Sequence, residues 1–207
     1  MNLYHILRRF DSRIQDVNSL LVYAISIEHS EHILFQALSA YIIISLQNIW
    51  ASCCRQLVVY SSYGGYTTLT GLILPRAASF SGFSDPVDWL RYNWSRSKKM
   101  NRSWEPDWHI PTQCSRAAQL LCIPNYTTVL NALSAITIVE QLRLTRNAIA
   151  HSLPVTYSRF RNLSTFMGFS RNISPEDIIY LRIGNTGPLI FDHWISEMRL
   201  CIAAAIR

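Results

Sequence analysis

Arg146-Asn147-Ala148-Ile149-Ala150-His151 sets a guanidinium, a carboxamide and an imidazole within one short stretch, with Ser152 and Pro154 directly behind it. An imidazole takes or gives a proton near neutral pH. A guanidinium stays charged and clamps a phosphate through its fork of donors. Held near each other on a rigid element, the two can cleave RNA without a metal. The same pair also has a purely structural use, since a cation near a helix C-terminus is stabilised by about 0.3–1 kcal/mol.

The bare spacing carries little weight in so arginine-rich a chain. A second Arg-to-His pairing, Arg102 to His109, spans Pro106 and cannot lie on one continuous helix. The Arg146 copy differs in having Asn directly after the Arg, a helix-compatible Ala-Ile-Ala spacer, and a position at the end of a helical period. Val129, Leu130, Leu133, Ile136, Val139, Leu142 and Ile149 recur near the i, i+3, i+4, i+7 template. The pattern predicts one helix over 127–152, capped by Thr127 or Thr128 and ended by Pro154. On that helix Asn147 shares a face with His151 and with Arg143. Arg146 and His151 diverge by ~140° at ~100° per residue, so a single helix is expected to present an incomplete site. Two such helices across a two-fold axis would complete it.

These residues resemble the HEPN superfamily, which includes many bacterial toxin and phage-defence ribonucleases. Arg146, Asn147 and His151 match its Arg–polar–His motif in order. "EHILFQALSAYIIISLQNIWASCCRQLVVYS" is similar to the family's long early helix, and "NYTTVLNALSAITIVEQLRLTRNAIAHS" to its motif-bearing helix with lead-in. The likeness spans roughly residues 15–155. It departs where many members carry an acidic residue in the early helix, here Gln47 or Ala51. It departs again at Leu153, where the branch paired with nucleotidyltransferases has Tyr. The resemblance implies a homodimeric, metal-independent endoribonuclease with catalytic Arg146, Asn147 and His151. It also implies a role as toxin or antiviral effector, with an antitoxin or sensor protein as partner. The alternative is a non-catalytic helical module that binds RNA or protein within a larger assembly.

Arg91, Tyr92, Trp94, Arg96, Lys98, Lys99, Arg102 and Trp104 interleave cations with flat aromatic faces. Single-stranded RNA needs that combination. Arg96, Lys98, Lys99 and Arg102, with Arg143, are therefore candidate RNA contacts; the other reading is a surface loop anchored by its Trp residues. Glu28-His29-Ser30-Glu31-His32 reads as a metal site, a solvated helix junction, or a support beside the Arg–His site. No distant third ligand is identifiable, so neither metal nor cofactor is expected. Asp192-His193 has no G-x-S-x-G partner, and no phosphate-binding glycine motif occurs.

Across 207 residues, 49% are hydrophobic, enough for a sizeable core in a single domain. A net charge of +6, carried almost entirely by Arg, favours an anionic partner. Cys53, Cys54, Cys114, Cys122 and Cys201 form no C-x-x-C pair and read as reduced, mostly buried thiols of a cytoplasmic protein. Arg8 and Arg9 interrupt any signal-peptide pattern. The apolar run Ile33 to Tyr60 is broken by Gln36, Gln47, Asn48 and Arg55, so no membrane association is expected and the run reads as a helix buried all round.

The expected fold is therefore all-α: a HEPN-like bundle over 1–207 with an irregular, aromatic-rich insertion at 61–115. Helices are expected at 3–27, 31–60, after Asp85, around "CSRAAQLLCI" and at 189–206. Gly64-Gly65 marks a break, an Arg- and aromatic-rich connector follows Pro154, and "DIIYLRIG" is a candidate strand.

Overall fold

The apolar stripe of the N-terminal segment and the long apolar run that follows become two helices, α1 (Tyr4–Ile27) and α2 (His32–Tyr63). The computed structural model describes residues 2–75, 83, 85–94, 105–184 and 186–207. Six further α-helices follow: α3 (Pro86–Trp94), α4 (Pro111–Leu120), α5 (Tyr126–Ala135), α6 (Ile138–His151), α7 (Pro154–Phe166) and α8 (Ile190–Ala205). A 3-10 turn occupies Asp177–Tyr180. Among the described residues there is no strand, only isolated bridges such as Thr67 with Ile73 and Arg182 with Leu189. The protein is all-α.

The chain gathers into two compact units. One takes Met1–Phe10, Trp50–Ile136 and Arg199–Arg207; the other takes Asp11–Ile49 and Thr137–Met198. The first unit contains the 61–115 region. There α2 runs on to Tyr63, and Gly64 and Gly65 turn the chain at φ of 72° and 70°, a conformation glycine adopts without strain. Asp85 caps α3, accepting the Val87 N–H at 2.7 Å, with Pro86 in the first turn. Helix α4 packs on α5. Cys53, Cys54, Cys114 and Cys201 are buried and form no disulfide, while Cys122 is exposed. Burial pushes the Cys54 thiol up, with Cys114 beside it adding to the effect. Loop 67–70 ties both ends of the unit together: Leu3 N–H donates to Thr67 O at 2.9 Å, and Leu69 N–H donates to Ile206 O at 2.8 Å.

The second unit holds the motif helix. Its buried side chains include Val17, Leu21, Ile42, Ile43, Phe160, Ile178, Ile179, Phe191 and Trp194. The Trp194 indole N–H donates to Gln141 Oε1 at 2.9 Å, tying α8 to α6. Helix α7 folds back along α6 after a two-residue connection, an αα-hairpin.

Four expectations from the sequence are corrected by the structure. The single helix over 127–152 is two, because Ile136 is extended (φ −87°, ψ 118°) and the chain restarts at Ile138. Ile136, Thr137, Ile138 and Val139 are all β-branched, a run that weakens helix at that point. The position before α5 is taken by Asn125 rather than by Thr127 or Thr128. The connector after Pro154 is helix α7. Proline there stands in the first turn of a new helix, and Leu153 before it is extended (φ −89°, ψ 146°). The candidate strand is the 3-10 turn, which buries Ile178 and Ile179 in succession.

Helix α2 is long and apolar enough to cross a membrane, with a mean hydropathy of 1.4 over its most apolar window, of which 44% is buried. Burial all round, as expected, does not extend along its whole length. From Ile42 onward most positions are buried, but Ile33 is 85% exposed and Leu34 and Tyr41 also face solvent.

Candidate active site on the α6–α7 hairpin

Helix α6 is oriented by its apolar side. Ile138, Val139, Leu142, Thr145 and Ala148 are buried, and the Thr145 hydroxyl returns to Gln141 O at 2.9 Å. The opposite side then carries Arg143, Asn147 and His151 at spacings of four, a single stripe along the helix. His151 is the last residue of α6 and is exposed; Arg146 and Asn147 are half-buried. Helix α6 ends at Ser152, which takes the left-handed conformation (φ 46°, ψ 28°) and donates its N–H to Ala148 O.

The three motif side chains come together within one chain. Arg146 Nη1 donates to Asn147 Oδ1 at 3.2 Å and lies 3.4 Å from His151 Nε2. The two positions do not share a face of the helix, yet their side chains meet. The ~140° between them describes where the Cα–Cβ bonds point. The arginine side chain is long enough to sweep back across the end of the helix. Arginine has no acceptor, so the contact is a hydrogen bond only when Nε2 carries its lone pair and the ring proton sits on Nδ1. That is the tautomer a general base at Nε2 requires.

Beside this stripe, α6 and α7 border a shallow, open groove of about 430 Å³ lined by Glu140, Arg143, Leu144, Arg159, Asn162, Leu163 and Phe166. Glu140 Oε2 and Oε1 accept from Arg143 at 2.7 and 2.6 Å. Arg143 and, further off, Arg159 hold the Glu140 carboxyl below its ordinary range, against a smaller opposing effect of burial. Arg143, a candidate RNA contact, is thus already engaged by a carboxylate. Arg159 is exposed.

No family model matches the chain, and no match is found among curated proteins or solved structures.

Arg96, Lys98, Lys99 and Arg102 lie outside the described residues, as does Trp104. The described flanks of that stretch are engaged internally. Arg91 pairs with Glu105 and with Asp88, the latter at 3.2 Å. Arg55 Nε also donates to Glu105, at 2.8 Å, and the Trp108 indole N–H at 3.0 Å. The Arg116 guanidinium sits 4.6 Å over the Trp94 ring. Glu28 and His32 lie near Asp177, whose carboxyl is raised first by burial and then by Glu176. Among the described residues no group of three or more His, Cys, Asp or Glu is arranged to hold a metal ion. Gln47 is buried, and its carbonyl oxygen has no hydrogen-bond partner among the described residues.

Sequence reasoning missed Arg159, Asn162 and Phe166. The signal was available: Pro154 with Thr156 behind it starts a helix, and Arg159, Asn162 and Phe166 then share one face.

Proposed function

We propose that the protein is a metal-independent endoribonuclease of HEPN type whose acid–base group is His151. The observation that supports it is the convergence of Arg146, Asn147 and His151 at an exposed helix end. In the reaction, His151 Nε2 takes the proton from an RNA 2′-hydroxyl. The 2′-oxygen then bonds to the adjacent phosphorus as the bond from phosphorus to the 5′-oxygen breaks. Arg146 neutralises the charge that accumulates on the non-bridging oxygens, and Asn147 holds Arg146 in place. The 5′-oxygen must gain a proton as it leaves. Each chain carries one motif histidine, so the reading assigns the acid to the motif histidine of a second chain in a homodimer. The products are a 2′,3′-cyclic phosphate and a 5′-hydroxyl. A role as toxin or antiviral effector, restrained by an antitoxin or sensor protein, rests on the resemblance of the motif and its flanking helices.

The runner-up, a non-catalytic RNA- or protein-binding module, would favour a histidine consumed in the core. His151 is instead exposed. The deciding experiment is labelled RNA incubated with the purified protein in EDTA. We expect cleavage to cyclic-phosphate ends, lost on His151→Ala and on Arg146→Ala. His151→Ala should change stability by no more than about 0.5 kcal/mol because His151 is exposed, and Arg146→Ala by about 1 kcal/mol at most because Arg146 is only half-buried. Cleavage at the wild-type rate by His151→Ala would remove the assignment. Dependence on a divalent ion would redirect it toward Glu28, His29, Glu31 and His32.

A further inference from the structure

The groove between α6 and α7 continues the motif stripe. Arg143 stands on it with Asn147 and His151, and eight residues of α6 separate its far end from the histidine, about 12 Å at 1.5 Å per residue. Across the groove, α7 offers Arg159, Asn162 and Phe166 at spacings of three and four, which put them on one face. Their chemistry is uneven in a telling way. Arg143 is clamped by Glu140 through two hydrogen bonds. Arg159 has no such clamp: its guanidinium is exposed and makes no side-chain hydrogen bond within 3.5 Å to another described residue. Phe166 ends α7 with 87% of its surface in solvent, a large apolar face that burial does not explain.

We infer that this groove is the track along which single-stranded RNA leaves the reacting phosphate, with Arg159 holding a backbone phosphate and Phe166 stacking a base. The inference rests on the ribonuclease reading for the location of the reacting phosphate. Its parts are those that sequence-tolerant strand binding uses: a cation free to meet phosphate, and a flat face that any base can cover. Glu140 keeps Arg143 from competing with Arg159 and fixes the wall of the groove. A duplex, whose bases are already stacked on each other, gains nothing from Phe166.

The test uses the full chain and a fluorescent, mixed-sequence, fully 2′-O-methylated RNA oligomer, which lacks the attacking hydroxyl and is not consumed. Anisotropy titrations across a range of salt concentrations give affinity and salt slope. Phe166→Ala should weaken binding about tenfold with the slope unchanged. Arg159→Ala should weaken it several-fold and reduce the slope of log affinity against log salt by about 0.7, the share of one phosphate contact on a single strand. Arg161→Ala, about 200° around α7 from Arg159, should change neither. Wild-type affinity and slope in both Arg159→Ala and Phe166→Ala would overturn the track. If cleavage of unmodified RNA still depends on His151 in that case, the ribonuclease reading stands alone. Binding that needs Arg159 and Phe166 without any cleavage would keep the track and remove the enzyme. A wild-type protein that does not bind the oligomer would remove the track, while cleavage of unmodified RNA in EDTA decides the enzyme reading separately.

Discussion

A single carboxylate, Glu105, takes the hydrogen bonds of three donors: Arg55, Arg91 and the Trp108 indole. Its surroundings oppose each other. Partial burial pushes its pKa up, while the hydrogen bonds from Arg55, Trp108 and Arg91 push it down and prevail. A folded value below the unfolded one means stability that is fully present above the ordinary glutamate range and is lost as pH falls through the folded value. Glu105→Gln should therefore cost about 1–3 kcal/mol near neutral pH, toward the lower end because the Arg55 side chain is 40% exposed. The difference in melting temperature from the wild type should narrow below about pH 4.3. A gap that stays constant down to pH 3 would show that the carboxylate charge contributes nothing. The same residue shows what could not be read from sequence. Arg91 and Trp94 look like RNA contacts when only their neighbours in the chain are known. Their engagement with Glu105 and Arg116 is a matter of folding partners 14 and 22 positions away. At Arg146 and His151, backbone angles alone understate what a flexible side chain can reach.

Among the elements, the long helices were legible because their apolar positions recur over many turns. Helices α1, α2 and α8 fall within a few residues of their predicted bounds. The failures cluster at junctions, where one or two residues decide. At Ile136 four successive β-branched residues break a pattern whose periodicity reads as continuous. At Pro154 the proline that stops α6 also starts α7, and a proline signals both in the same way. Ser152, between them, has a side chain where the backbone conformation suits glycine. The left-handed region costs a non-glycine residue about 1–2 kcal/mol, partly offset in a glycine variant by the greater freedom of its unfolded chain. Ser152→Gly should raise the melting temperature by up to about 3 °C, a gain below 1 kcal/mol at this chain length, and leave RNA cleavage near the wild-type rate. A lower melting temperature would mean that the Ser152 hydroxyl, 3.4 Å from Ile149 O, contributes more than the strain removes.

The whole molecule is all-helical, as its composition and periodicity indicated, but the sorting of its chain into units was not visible from sequence. One unit takes segments from near residue 1, from the middle and from near residue 207, so it depends on contacts that no local pattern records. Loop 67–70 is where those distant segments are stitched together. Thr67 receives Leu3, Leu69 reaches Ile206, and the Thr70 hydroxyl donates to Arg207 O at 2.9 Å. Thr67 and Leu69 are separated by at most about 7 Å of extended chain, so residues 3 and 206 lie within a short span of each other. The order in which this chain is threaded is therefore separable from the shape it takes. A circular permutant that joins residue 207 to residue 2 through about six Gly/Ser residues, and opens new ends in the exposed turn at Arg171–Asn172, should fold with the same helical circular dichroism and a cooperative melt. Failure to fold would show that the native threading itself, rather than the proximity of its ends, guides assembly. Success would leave the α6–α7 hairpin intact and place a new chain end close behind it, ready to carry a reporter beside the proposed RNA track.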